Sequence, residues 1–402
     1  MPLRPGCHEG ASMRILQISN YIQPVIGGIG RVAEDAAHFF SQEQSIEQKI
    51  LCFNDTPVPE AKDRRYRKTV RETVDGVEVI RCGCFAKLFS QSLSLSLPTV
   101  LHRLMKEFRP DVVIFHYPNP YIAHFLLREK LPFRMILWWH SDIVKGRLLC
   151  ALFHGQNLRL IRRADQIIGA TPGHLTRSAY AAAIAEKPTA VVPYTVGEYR
   201  IPAPERYAAR VREIRAQYEG KLICLFVGRH VPYKGLSCLI RASKLLDERF
   251  VILIAGFGPL TEALKQEAGG DEKIRFLGAL TDAEKFAFQQ ACDVFCFPSV
   301  TKNENFGLAL SESMYFGKPA VTFTIPDSGV NTVCVGGLTG IECPNGSAEA
   351  YAAALTELAE DPALLARLGA AARKQIQDSY SDRLFRAALF RAIGLPEQEE
   401  PL

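Results

Sequence analysis

No stretch of this 402-residue sequence stays apolar for the ~18–20 residues that a membrane-crossing helix requires. The first twelve residues, Met1 to Ser12, mix Pro, Gly, Cys and His with a single acid, and lack the apolar core of a signal peptide. They read as a disordered tail, with the fold beginning at Met13. Cysteine occurs eleven times, an odd count without the even spacing of a disulfide scaffold. Cys52, Cys224, Cys292 and Cys296 sit inside apolar runs, as buried thiols do in a reducing compartment. Cys82-Gly-Cys84 is the one close pair, and with no histidine or second pair beside it a zinc site is not expected.

What is present is ordinary globular composition, 48% hydrophobic and 23% charged. The length suggests two or three domains of roughly 150 residues. Charge is uneven. Up to Thr195 there are 25 Lys/Arg against 17 Asp/Glu, a balance of +8; beyond it there are 23 against 26. A basic N-terminal half suggests an anionic partner, whether phosphate, lipid headgroup or nucleic acid. The run Lys62-Asp63-Arg64-Arg65-Tyr66-Arg67-Lys68 is its densest part. Without an aromatic platform or a recognition-helix pattern it does not indicate nucleic acid.

Short apolar, β-branched runs alternate with helical stretches in two series. The first is Arg14–Ile18, Lys49–Phe53, Val77–Arg81, Asp111–Phe115, Arg134–Trp139 and Asp165–Gly169. The second is Leu222–Val227, Phe250–Ala255, Lys273–Leu277, Asp293–Phe297 and Pro319–Thr324. Buried runs alternating with helices predict an α/β fold of parallel sheets covered on both faces. Two series predict two doubly wound, Rossmann-like domains. The break falls near Pro193–Pro204, rich in Pro, Tyr and Gly. The expected organisation is a tail at 1–12, domains at 13–195 and 196–375, and a C-terminal helix and tail at 376–402 that could pack back on the first domain. Ligands of such sheets bind beyond the carboxyl ends of the strands, so motifs there carry the most weight.

After the first strand comes Gly27-Gly28-Ile29-Gly30, then a helix predicted to begin near Val32. Glycines at that point let a phosphate approach the backbone, although a tight turn alone would also use them. After Leu222–Val227 comes Gly228-Arg229-His230-Val231-Pro232-Tyr233-Lys234-Gly235. An arginine fork and a lysine point charge on one glycine-bounded loop suit a diphosphate. Gly256-Phe257-Gly258 and Phe276-Leu277-Gly278 follow later strands and could meet a planar base. The most informative segment is Glu304-Asn305-Phe306-Gly307-Leu308-Ala309-Leu310-Ser311-Glu312. Glu304 lies before a helix predicted over Gly307–Phe316, and Glu312 lies inside it. First-turn amides around Phe306, Gly307 and Leu308 would face phosphates, and each carboxylate could accept two hydroxyls. A surface glutamate and a capping glutamate are the alternative. His140 ends the strand Arg134–Trp139, with Asp142 and His116 as further candidates on that side. No Asp-x-Asp occurs. That pair commonly clamps a divalent ion on a diphosphate, and its lack fits neutralisation by Arg229, Lys234 and a helix N-terminus, with no metal.

Taken together, these motifs resemble family 4 of the retaining glycosyltransferases, over nearly all of Met13 to Asp382. The resemblance implies the GT-B fold, two Rossmann-like domains facing a cleft. It implies that Arg229 and Lys234 grip the donor diphosphate, with backbone at Gly28 and at Phe306–Leu308. Glu312 would hold the ribose hydroxyls, and Glu304 the transferred sugar with His140 beside it. A narrower likeness to bacterial O-antigen and exopolysaccharide mannosyltransferases rests on His116-Tyr117-Pro118-Asn119-Pro120, His140-Ser141-Asp142-Ile143-Val144-Lys145 and Ser328-Gly329-Val330. It implies GDP-mannose as donor and a saccharide or lipid-linked glycan as acceptor. A UDP-sugar, an epimerase reaction and an inactive partner subunit are the alternatives. Departures from the pattern are Pro193-Tyr194-Thr195-Val196-Gly197, Asp327 at a usual glycine and Cys334 near a usual asparagine. A lipid-linked acceptor would place the protein in the cytoplasm, against the inner face of the membrane. Phe85-Ala86-Lys87-Leu88-Phe89 and Leu101-His102-Arg103-Leu104-Met105-Lys106 interleave apolar and basic residues as interfacial helices do.

Overall fold

The computed structural model describes residues 12–25, 27–55, 64–88, 91–143, 147–302 and 304–395. The expected N-terminal tail, save Ser12, lies outside the described residues, as do Lys62, Asp63, Phe89, Val144 and Lys145. The chain divides into two units, Met1–Pro193 with Phe385–Leu402, and Tyr194–Leu384.

The first unit is built on β1 (Met13–Ile18), β2 (Ile46–Asn54), β3 (Val70–Val74), β4 (Val77–Gly83), the hairpin of β5 (Ala86–Leu88) and β6 (Gln91–Leu93), β7 (Val112–Tyr117), β8 (Arg134–Trp139), β9 (Gln166–Gly169) and β10 (Thr189–Val191). Eight of these form one sheet in the order β10-β9-β8-β7-β1-β2-β4-β3. Its pairings are parallel except at the edge, where β3 runs antiparallel to β4. β7 is buried along its whole length, because apolar side chains pack on both faces of the sheet. The last helix, Asp382–Ile393, contributes Phe385 against Phe39 and Trp138, and Phe390 against Phe40. Arg386 pairs with Glu43 at 2.6 Å. Arg134 satisfies the carbonyls of Ala392 and Ile393 at that helix's end.

The second unit has β11 (Leu222–Val227), β12 (Phe250–Ala255), β13 (Ile274–Gly278), β14 (Val294–Phe297), β15 (Ala320–Phe323) and β16 (Gly340–Cys343). They form an all-parallel sheet in the order β13-β12-β11-β14-β15-β16. The order reverses between β11 and β14, the switch point at which open sheets of this kind place ligands.

Three expectations are corrected. The first helix begins at Gly28, not near Val32, because Gly27 is extended and hands the chain directly to a helical turn. Val70–Val74, absent from the expected strands, is a strand; all its side chains but one are exposed, and Arg71 reaches Glu78 on β4. The stretch Leu101–Lys106 is not an interfacial face. It belongs to the helix Leu97–Glu107, which buries Leu97, Leu101, Leu104 and Met105 in the first unit's core. The hairpin differs, with Phe85 48%, Leu88 56% and the nearby Leu95 80% exposed.

Candidate active site

In the second unit, the loops after β11 and β14 lie side by side because those strands are neighbours. Backbone contacts close to van der Waals limits hold them there. Gly235 has φ +65, and a Cβ on it would stand 2.0 Å from the Pro298 carbonyl oxygen. Val300 N donates to Tyr233 O at 2.9 Å. On the other side of β11, a Cβ on Gly256 would stand 1.9 Å from Gly228 O. The glycines of these loops thus serve the approach of one loop to another.

This juxtaposition brings Lys234 onto Glu304, whose sequence positions are far apart. Lys234 Nζ hydrogen-bonds Glu304 Oε2, and both side chains are only 12% exposed. The ammonium lies 4.9 Å from the centre of the Phe297 ring, a second attraction for a partly desolvated cation. Ser299 Oγ donates to the same carboxylate oxygen at 3.3 Å, and Ser328 Oγ donates to the Glu304 carbonyl. Nothing in the local sequence marks Ser299 or Ser328 as a support of Glu304; the fold brings them to it. Arg229 is exposed, with Nη2 donating to Tyr233 Oη at 3.4 Å.

The helix Leu308–Tyr315 follows Gly307, which has φ +87. A Cβ there would meet the Phe297 ring at 2.8 Å, so both conformation and space require glycine. Gly307, at the N-cap, has no side chain to cap this helix, and first-turn amides are the kind of group a helix start offers to an anion. Phe306 directly precedes Gly307. Its ring is buried between Tyr194 and Tyr380, at 5.0 and 5.1 Å between centroids.

Glu312 lies about one helical turn beyond Leu308 and is also engaged. Lys285 Nζ hydrogen-bonds Oε1 at 2.9 Å, and Gln289 Nε2 hydrogen-bonds Oε2 at 3.2 Å. Both come from the helix Asp282–Ala291, fixed at its start by a capping box of Thr281 and Glu284. Sequence reading did not single out Lys285 or Gln289; their spacing of four on an amphipathic helix is the only local trace.

In the first unit, Gln17, His116 and His140 stand on the adjacent strands β1 and β7 and just past β8. Gln17 Oε1 lies 3.0 Å from His116 Nε2, and His116 Nδ1 lies 3.0 Å from His140 Nε2. Burial holds the His116 imidazole down at about 3. Burial first, then His116 and His174, hold His140 well below its ordinary range. Both rings are therefore neutral, and they stack on Trp138. His116 is completely buried, with its two ring nitrogens facing Gln17 and His140. Asp142 is likewise taken up internally: Trp139 Nε1 and Ser178 Oγ donate to one oxygen, and Ala179 N to the other.

The glycine turn after β1 separates into two kinds. Cβ atoms on Gly27 and Gly30 would collide with Tyr21, at 2.6 and 2.5 Å. At Gly28 no atom lies within 4 Å of that position, so packing does not account for its glycine. Arg81, buried, donates to the carbonyls of Ile22 and Gln23 and pairs with Glu72 at 2.6 Å, which anchors the approach to this turn. Asp327 has φ +62, which explains a usual glycine there; aspartate is one of the residues that tolerate this conformation.

Two family profiles match the chain. "Glycosyl transferase 4-like domain" matches residues 27–195, and "Glycosyl transferases group 1" matches residues 209–375. D-rhamnosyltransferase WbpZ of Pseudomonas aeruginosa is 29% identical over 362 residues, 89% of each chain. O-antigen chain mannosyltransferase C of Escherichia coli is 27% identical over 273 residues, 67% of this chain and 71% of its own. Among solved structures, sucrose-phosphate synthase from Thermosynechococcus elongatus superposes with a TM-score of 0.76 at 18% identity, covering 95% of this chain and 98% of that one. Anabaena HepE, in complex with UDP and glucose, gives 0.73 at 17% identity, covering 95% and 99%. With this fold and these matches to both halves, the chain is a glycosyltransferase of the GT-B type, related to the mannosyl- and rhamnosyltransferases of O-antigen synthesis.

Proposed function

We propose that the chain is a retaining, metal-independent hexosyltransferase that moves mannose from GDP-mannose to a hydroxyl of a saccharide or lipid-linked glycan. The observation that carries this reading is the Lys234–Glu304 pair beside the open start of the helix Leu308–Tyr315. A cation, a carboxylate and helix-start amides within one small region suit a sugar joined to a diphosphate. Arg229 and Lys234 would neutralise the phosphates, assisted by the amides at Phe306, Gly307 and Leu308 and by backbone at Gly28. Glu304 would accept sugar hydroxyls, Glu312 the ribose hydroxyls, and neutral His140 would hydrogen-bond the transferred sugar. In the transfer, the bond from the anomeric carbon to the phosphate oxygen breaks, and the acceptor oxygen bonds the same face of that carbon. The acceptor's proton passes to the departing phosphate oxygen. Lys234 and Arg229 stabilise the charge that develops there.

A second reading has a specific ground: the D-rhamnosyltransferase relative aligns over 89% of the chain. D-Rhamnose is 6-deoxymannose, so the same site would serve both sugars apart from one hydroxyl. Turnover of GDP-mannose, GDP-D-rhamnose, UDP-glucose and UDP-galactose in excess EDTA tests the proposal. Hydrolysis or transfer of GDP-mannose above the others is expected. Preference for a UDP-sugar, or activity lost to EDTA and restored by Mg²⁺ or Mn²⁺, overturns it. A lipid-linked acceptor would bring the first unit to an anionic membrane. The exposed Phe85, Leu88 and Leu95 support this.

A further inference from the structure

The buried partner of Glu312 assigns a role to a residue outside the two glutamates and two cations of the site. We propose that Lys285 is a positioning residue for nucleoside recognition: with Gln289 it fixes the Glu312 carboxylate so that one acceptor site on each oxygen remains for the two ribose hydroxyls. This rests on the reading of Glu312 as the ribose acceptor.

A carboxylate offers about four lone-pair sites, two on each oxygen. Lys285 occupies one on Oε1 at 2.9 Å, and Gln289 one on Oε2 at 3.2 Å. One site is left on each oxygen, the number and spacing that a vicinal diol requires. Donors on both oxygens also stop the carboxylate rotating about its terminal bond, so the remaining pair keeps one orientation. Lys285 is itself held. It lies 3.6 Å from Asp282 and 4.5 Å from the centre of the Phe286 ring, and is largely buried.

The test compares GDP and UDP with their 2′,3′-dideoxy counterparts by calorimetry, on wild type, Lys285→Met, Lys285→Gln, Lys285→Arg and Glu312→Gln. Wild type is expected to bind the better ribonucleotide at least tenfold more tightly than its dideoxy form. In Lys285→Met that ratio should fall to near one, with dideoxy affinity little changed. Lys285→Arg should retain most of it. Lys285→Gln, which keeps a donor and is the milder change if the methionine variant does not fold, should lie between. A residue that only stabilised the fold would weaken both nucleotides together and leave the ratio alone. If Glu312→Gln loses the ratio while Lys285→Met and Lys285→Gln keep it, Lys285 does not position the carboxylate. If Glu312→Gln keeps the wild-type ratio, the ribose reading of Glu312 fails, and this proposal with it.

Discussion

The two units hold the polar residues at their strand ends in opposite electrostatic states. In the first, Gln17, His116 and His140 form a neutral file, because burial keeps both imidazoles unprotonated. In the second, Lys234–Glu304 and Lys285–Glu312 are charged pairs that are largely shielded from water. A neutral imidazole can hydrogen-bond a hydroxyl without attracting a phosphate. A lysine already stripped of much of its water, and resting against Phe297, can pass from a carboxylate to a phosphate at little further desolvation cost. The contrast is one of charge: the cations proposed for the diphosphate belong to the second unit, and the imidazole proposed for the sugar, neutral, to the first.

The largest expected effect tests that division directly. Lys234→Ala removes the charge and leaves Glu304 without its partner. GDP affinity should fall by roughly tenfold to a hundredfold, about 1.5–3 kcal/mol. His140→Ala should leave GDP affinity within about threefold, because no charge is lost. Calorimetry on both variants decides it; equal losses would break the contrast between the units.

Glu304→Gln comes next, with turnover as the sensitive quantity. It should reduce kcat by more than about tenfold, as expected where an interaction with the reacting sugar is weakened. GDP affinity should stay level or rise, because Lys234 is released from its pair. A fall in GDP affinity matching that in kcat would show that Glu304 holds Lys234 in place for the phosphates.

A smaller effect concerns acid. The folded imidazoles resist protonation, His116 down to about 3, whereas in the unfolded chain they take up protons below about 6.5. Their contribution is therefore fully present above pH 6.5 and is lost as pH falls from 6.5 toward 3. His116→Gln should flatten the decline of unfolding free energy between pH 6.5 and 5, by up to about 1.4 kcal/mol per pH unit. An unchanged slope in denaturant titrations would assign the acid sensitivity elsewhere.

The smallest effect concerns the surface of the first unit. Charge reversal at Arg64, Arg65, Arg67 and Lys68 should reduce co-sedimentation with anionic vesicles severalfold at low salt, and leave GDP affinity alone. At high salt the difference should vanish, since attraction to anionic lipid is screened within about a Debye length. If the variant sediments at low salt as the wild type does, the exposed hairpin and not the basic run carries any membrane contact.

Much of this architecture is written in local sequence, for identifiable reasons. Runs such as Arg134–Trp139 and Leu222–Val227 are nearly unbroken apolar segments because both faces of their sheets are covered. Val70–Val74 has no such mark, since an exposed edge strand carries Val-Arg-Glu-Thr-Val and takes its pairing from β4. The short edge strand Thr189–Val191 is silent for the same reason. At the site, Arg229, Lys234, Glu304 and Glu312 stand out because charged residues at strand ends and helix starts are locally conspicuous. Lys285, Gln289, Ser299 and Ser328 are not conspicuous. Each is an ordinary helix or loop residue until its partner is known.

By itself, then, the sequence determined which segments are strands buried on both faces, where the glycine turns fall, and which charged side chains sit beyond strand ends. These follow from periodicity and composition, which are properties of a few consecutive residues. The tertiary structure alone decided the partners. Lys234 meets Glu304 because β11 and β14 are neighbours, and His116 backs His140 because β7 lies beside β8. Strand order is a global outcome, and the ionisation and orientation of a buried side chain depend on whichever group that order brings within hydrogen-bonding reach.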